Sequence, residues 1–241
     1  MTDWNAENVR LTAFFRESNI NGKSDWWAEL TSTQPKVSVR QPQYQDYGPV
    51  EQGILILAME QSRIDWIYTP DPEKIGDNLF VIGSIGAAVT TFVKLMNRWL
   101  SMDVPPLGRI AFGAVMLQSV EDRLAGYKLL SQYLKDIPLD GENSSEFIYQ
   151  INRPRRLPDG MEINRLSKWS VAKLHRLHVE LTSIGKPPVT NVGKQHNACR
   201  LEVDISTPAA FSEELRKENY VSVFETLVSM GMEISEKGEI P

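Results

Sequence analysis

The stretch Gly53-Ile54-Leu55-Ile56-Leu57-Ala58-Met59, joined through Glu60-Gln61-Ser62 to Arg63-Ile64-Asp65-Trp66-Ile67-Tyr68-Thr69, decides the fold class. Two apolar-rich runs with only three polar residues between them predict a tight antiparallel hairpin. A run as continuously apolar as Ile54 to Ala58 leaves no face for water, so it belongs at the middle of a sheet with helices over it. Pro70 and Pro72 end the second strand, because proline has no N–H to offer a ladder.

Upstream, Val9 to Ala13 alternates apolar and polar residues, the period-two pattern of a half-buried strand, and runs on to Phe15. Asn19 to Gly22 supplies turn residues, and Ser24 predicts a cap for a short helix through Trp26, Trp27 and Leu30, ended by Pro35. Lys36 to Arg40 sets Val37 and Val39 against polar neighbours, again as a strand. Downstream of the hairpin the period changes. Leu79, Ile82, Ile85, Val89, Phe92, Val93, Met96 and Leu100 recur mostly at three- and four-residue steps and predict a long amphipathic helix over 77–100. Arg109 to Gln118 then reads as a buried strand and 120–134 as a second helix. The polar stretch Asp136 to Ser145, with Pro138 and Gly141, is the best internal boundary, dividing the chain into halves 1–140 and 141–241 of one compact unit.

In the second half, Phe147 to Ile151 is strand-like and Asp159-Gly160 is a hairpin signal. The segment Ile163 to Val179 fits both periods; the Gly160 turn favours a strand paired with Phe147 to Ile151. Lys186 to Asn197, with Pro187 and Pro188, reads as a long loop, Arg200 to Thr207 as a strand, and 211–234 as a long helix interrupted near Glu218-Asn219. Arg63 to Pro70 is similar to Arg200 to Pro208, allowing one extra residue, and each leads through an acidic connector into a long helix. Two readings stay open: a common strand–proline–helix joint, or a duplicated module of sheet plus covering helix. The expected fold is α/β of the α+β kind: a mostly antiparallel sheet covered by long helices, its two halves being pseudo-repeats on the second of those readings.

With 241 residues, 41% of them apolar and 24% charged, the chain can bury a sizeable core, and its composition excludes collagen, a coiled coil and a largely disordered chain. No run reaches the roughly 18 apolar residues of a membrane-spanning helix. Met1 to Glu7 carries two acids and no lysine, unlike a signal peptide, and a lone cysteine suits a reducing compartment, so a cytoplasmic location is expected. The net charge of -5 gives no global attraction to nucleic acid or membrane.

Several of these stretches carry a family resemblance. Val9 to Phe15, the Trp26-Trp27 pair before Pro35, Arg63-Ile64-Asp65-Trp66, Arg109-Ile110-Ala111-Phe112-Gly113, Ile151-Asn152-Arg153-Pro154 and Leu201 to Thr207 together resemble a group of sporadically distributed bacterial proteins of unknown function. The resemblance implies a mixed α/β protein, found in some cases in mobile-element or defence-type neighbourhoods. It implies no activity, substrate or site residue.

Charge is distributed unevenly. Between Arg153 and Arg200 ten Lys or Arg face three acids, a local +7 that leaves -12 for the rest of the chain. Arg153, Arg155, Arg156, Arg165, Lys168, Lys173 and Arg176, with Trp169 among them, fall on neighbouring expected strands and could present guanidinium forks and a stacking ring to phosphates and bases. The bland alternative is pairing with the acidic remainder or with an acidic partner. All three histidines and the cysteine lie close in sequence as His175-x2-His178 and His196-x2-Cys199, ligand types and a spacing compatible with zinc. Such sites usually hold at least two cysteines, and on a strand His175 and His178 would face opposite sides. Locally bonded histidines and a buried thiol are the competing reading.

No nucleophile elbow, phosphate loop or H-E-x-x-H motif is present, and Gly83-Ser84-Ile85-Gly86 reads as helix packing. Asp65 and Asp204 occupy related places in the repeat and could be paired metal-binding carboxylates, or strand residues paired with nearby Arg or Lys. Trp26, Trp27, Trp66, Trp99 and Trp169 read mostly as core or interface anchors. Because Trp26 and Trp27 cannot easily both enter one core, one of them is expected against another element or another subunit. The leading expectation is a non-enzymatic binding or assembly subunit of a bacterial complex, with a protein partner or self-association, no membrane and no cofactor. The alternatives are a nucleic-acid-binding protein using the 153–176 surface and, behind it, a metal-dependent hydrolase or nuclease.

Overall fold

The computed structural model describes residues 3–16, 25–41, 43–76, 78–180, 189–208 and 215–239, with the backbone alone for 176–180 and 189–192. The elements in chain order are β1 (Asn5–Phe15), α1 (Trp26–Thr31), β2 (Val37–Val39), β3 (Tyr44–Val50), β4 (Gly53–Glu60), β5 (Arg63–Pro70), α2 (Ile85–Leu100), β6 (Leu107–Val120), α3 (Arg123–Tyr133), β7 (Ile148–Asn152), β8 (Arg155–Arg156), β9 (Glu162–Glu180), β10 (Val189–Ser206) and α4 (Tyr220–Lys237). One antiparallel sheet takes in both halves, in the order β2-β3-β4-β5-β1-β6-β10-β9-β7, with β8 also on β9. The order mirrors about the β1–β6 pair: β5, β4 and β3 lie outward of β1, as β10, β9 and β7 lie outward of β6. The apolar run at Gly53 forms its hairpin with β5, in register from Gly53↔Pro70 to Glu60↔Arg63.

The expected sheet covered by long helices is corrected. The described residues are mostly sheet, with four helices of 6, 16, 11 and 18 residues and two strands as long as 19 and 18. The helix expected over 77–100 starts only at Ile85. Gly83 takes φ +144°, and the Ser84 hydroxyl accepts the Ala87 N–H as a cap. The residues before it run along β1 instead, where Ile82 N–H bonds Ala6 O, Ala6 N–H bonds Gly83 O and Ile85 N–H bonds Trp4 O. Leu79 and Ile82 therefore matched a helical period by coincidence. The helix expected over 211–234 begins at Tyr220, after a 3-10 turn at Lys217–Asn219, and residues 211–214 lie outside the described residues. The loop expected over 186–197 is also corrected. From Val189 it is strand, because β9 supplies a ladder partner along its length.

All four described helices pack on one face of the sheet. Val9, Leu11 and Ala13 of β1, Trp66 of β5, Phe112 of β6 and Leu201 and Ile205 of β10 point into this layer. Phe92 of α2, Phe224 of α4 and Phe112 meet edge to face, with centroids 6.2–6.5 Å apart. Gly231 lets α4 approach closely, since a Cβ there would lie 2.8 Å from the Phe112 ring. Among the described residues no helix is long and apolar enough to cross a membrane.

Candidate binding face

Strand alternation sends every second side chain away from the helices. On β1 these are Asn8, Arg10, Thr12 and Phe14; on β5, Arg63, Asp65 and Ile67; on β6, Arg109, Ala111, Gly113 and Val115; on β10, Arg200, Glu202, Asp204 and Ser206; on β9, Asn164, Leu166 and Lys168. Most are half-buried, and no described helix covers them. The ladder aligns them in rows across five strands. One row reads Ile67, Arg10, Gly113, Asp204, Leu166, the next Asp65, Thr12, Ala111, Ser206, Asn164, and a third contains Arg63, Phe14 and Arg109.

Ion pairs across and along the strands knit the rows together. Arg10 Nη2 lies 3.2 Å from Asp204 Oδ2, and Lys168 Nζ 3.1 Å from Glu202 Oε1. Arg200 reaches Glu7 at 3.3 Å and Glu202 at 3.1 Å. Asp65 accepts a hydrogen bond from Arg63 Nη2 at 2.9 Å, has Arg63 Nε 2.7 Å away in the ion pair, and accepts another bond from the Thr12 hydroxyl at 2.5 Å. The bidentate carboxylate holds Arg63 above its ordinary pKa range. Over β6 the small side chains leave a recess of about 260 Å³ lined by Asn8, Arg10, Gly113, Gln150, Lys168 and Asp204 among others. Gly113 makes room for the Arg10 guanidinium, since a Cβ there would sit 3.1 Å from Nη2.

The basic segment is not gathered on one surface. Arg153 pairs with Glu239 at 3.2 Å and Arg155 with Glu233 at 2.7 Å, both on the helix side. Arg165 is buried beneath α4, 3.9 Å from Glu233; burial and the neighbouring Arg155 lower its pKa. Lys168 is on the opposite, helix-free face, while Arg156 and Lys173 are exposed. Trp169 is a core residue, packed between Trp4 and Tyr133 with its indole N–H donating to Ser167 Oγ at 3.1 Å, so its ring is not offered for stacking. Arg176 and His178 lie on β9 where only the backbone is described.

The histidines and cysteine are also kept apart. His196 is registered with Leu174, so His175, the next residue along β9, points to the other face. Cys199 is buried under α3, its thiol donating to Gly126 O at 3.3 Å, and burial pushes its pKa up to about 12. Among the described residues no group of three or more His, Cys, Asp or Glu is placed to hold a metal ion. Asp65 and Asp204 belong to β5 and β10, which are three strand spacings or about 14 Å apart. Each already faces an arginine.

Trp26 and Trp27 are both buried within this chain. Trp26 stacks on Phe15 and meets Trp99 edge to face, whereas Trp27 stacks on Trp66. The short α1 sits over the joint between α2 and the sheet, so successive side chains enter the same core from two directions. Of the helix-free face, only Asp65, Asp204 and Lys168 stood out in the sequence. The available signal was the charged residue at each outward position of Arg63-Ile64-Asp65 and Arg200-Leu201-Glu202-Val203-Asp204. Compared with protein-family models and with curated proteins, the chain matches none.

Proposed function

We propose that this chain is a non-enzymatic binding or assembly subunit that docks a protein partner on the helix-free face of its sheet. One observation carries the reading: five neighbouring strands present a half-buried lattice of paired charges that no described element covers. A face that served only stability would gain little from such pairs, since exposed ion pairs contribute about 0–1 kcal/mol each. In an interface the same pairs fix orientation and reject wrong partners. Apolar residues between them, such as Ile67, Val115 and Leu166, supply the area a partner would bury. The bacterial and defence-type setting of that complex is carried by the family resemblance alone.

The test is affinity purification of the tagged full chain from its native host. A stoichiometric partner should co-purify, and Lys168→Glu together with Arg10→Glu should release it. Glu225→Lys on the outer side of α4 should leave it bound. A chain recovered alone as a monomer, or a partner lost with Glu225→Lys and retained by the face variant, overturns the reading.

A further inference from the structure

The helix-free face contains one guanidinium that its own lattice does not neutralise. In the register rows Arg10, Arg63, Lys168 and Arg200 each have a carboxylate within 3.3 Å. Arg109 has none among the described residues. Its Nη2 donates to Ser206 Oγ at 2.9 Å, its Nε is buried without a hydrogen-bond partner, and its guanidinium stands 5.4 Å from the Phe14 ring centroid. Arg63, paired with Phe14 from the strand on its other flank, stands 5.7 Å from the same centroid. The row Arg63, Phe14, Arg109 thus holds a phenyl ring between two cations, only one of which is compensated.

A half-buried guanidinium beside a ring and a hydroxyl is costly without a counter-charge. The nearby acids are committed, Asp65 to Arg63 and Thr12, and Asp204 to Arg10. Glu60 lies at the far end of the row, three strand spacings or about 14 Å away, beyond the roughly 8 Å over which charges act in physiological salt. Among the described residues the local imbalance is therefore a single positive charge, which one monoanion cancels. A phosphate dianion would overcompensate it, and the Phe14 ring already has a guanidinium within 5.7 Å from each flanking strand, which crowds the stacking surface a nucleobase would use.

We infer that Arg109, set between Phe14 and Ser206, is a subsite for one carboxylate, the side chain of an aspartate or glutamate on the docked protein. The inference rests on the docking reading above and names the anchor of that interface. Arginine beside an aromatic ring is a common energetic centre of protein interfaces. A single pair on an open face binds weakly by itself and gains strength only within a larger contact.

The probe is acetate, titrated into the purified full chain at constant ionic strength against sodium chloride, with the arginine Nε–H signals followed by NMR. The Arg109 signal should move saturably with a Kd on the order of 1–10 mM, while those of Arg10 and Arg63 stay in place. Read in the variants from the backbone amide signals of Phe14 and Ser206, the response should be lost in Arg109→Gln and kept in part in Arg109→Lys, both checked for an unchanged circular dichroism spectrum. A linear drift matched by chloride, or equal movement of Arg10 and Arg63, overturns the subsite. Tighter binding of inorganic phosphate than of acetate overturns the carboxylate assignment. If acetate binds but the native host yields no partner, the docking reading fails and the anion subsite stands. If a partner is captured equally by wild type and Arg109→Gln, its anchoring role is refuted while docking stands.

Discussion

Glu233 offers the most exacting test of how the helix layer is held to the sheet. Its carboxylate on α4 faces Arg155 at 2.7 Å, Lys237 at 3.2 Å and the buried Arg165 at 3.9 Å. The Arg165 side chain is only 2% exposed, and its Nε has no hydrogen-bond partner, so Glu233 and Glu239 supply the negative field that makes its burial tolerable. At 3.9 Å and an effective dielectric constant near 20, the Glu233–Arg165 attraction is about 4 kcal/mol. Glu233→Gln removes it while preserving shape. Glu233 is itself partly exposed and water recovers some of the loss, so the expected destabilisation is about 2–4 kcal/mol. Arg165→Met in the same chain removes the stranded charge, and the double variant should be more stable than Glu233→Gln alone, with a coupling of about 1–3 kcal/mol. Urea titration followed by tryptophan fluorescence and circular dichroism measures both quantities. A Glu233→Gln effect under about 0.5 kcal/mol, or a double variant no better than the single, refutes the reasoning. The pH dependence has a defined sign. Burial disfavours the Glu233 carboxylate, but hydrogen bonds from Arg155 and Lys237 outweigh it and lower its pKa from 4.5. Its contribution is complete above the unfolded value and is lost as pH falls through the lower folded one. Glu233→Gln should therefore flatten the acid limb below about pH 4.5.

Three further outcomes are expected. Cys199, with its pKa raised to about 12 by burial, should resist thiol reagents at neutral pH and react at the rate of unfolding; rapid labelling of folded protein would contradict its burial under α3. Burial and the hydrogen bond to Asp46 raise the Tyr44 hydroxyl from 10.0 to about 12, so its stabilisation is present below pH 10 and lost as pH climbs through 12. Tyr44→Phe should flatten that alkaline limb in urea titrations, and an unchanged limb would exclude ionisation of Tyr44 as its source. Gly238, at φ +78°, passes so close to α3 that a Cβ would lie 2.1 Å from Tyr133 O, and Gly238→Ala should detach Glu239 from Arg153 at a cost of about 2 kcal/mol. A melting temperature equal to wild type would show that the closing residues bear no load.

Much of the sheet was legible because strand alternation is a local property. The β4–β5 hairpin, β1 and the strand through Trp169 follow from period-two patterning and turn residues alone. Helix starts were less legible: Leu79 and Ile82 carry the right spacing, yet a positive-φ glycine and hydrogen bonds to β1 hold that stretch out of the helix. For the candidate site the limit was different in kind. Arg153, Arg155, Arg165 and Lys168 look like one cationic block in sequence, but odd and even positions of β9 face opposite layers, and the acids that neutralise the three arginines arrive from α4 and from Glu239, two residues past its end.

Sequence by itself determined which residues alternate, where hairpins close and that no familiar catalytic motif is present, since these depend on neighbours a few positions apart. Only the tertiary structure decided that the described helices share one face and that on the other Arg10 pairs with Asp204 while Arg109 finds Ser206. Pairing between strands separated by about a hundred residues or more depends on how the whole core packs. No local pattern encodes which guanidinium finds a carboxylate and which is left without one.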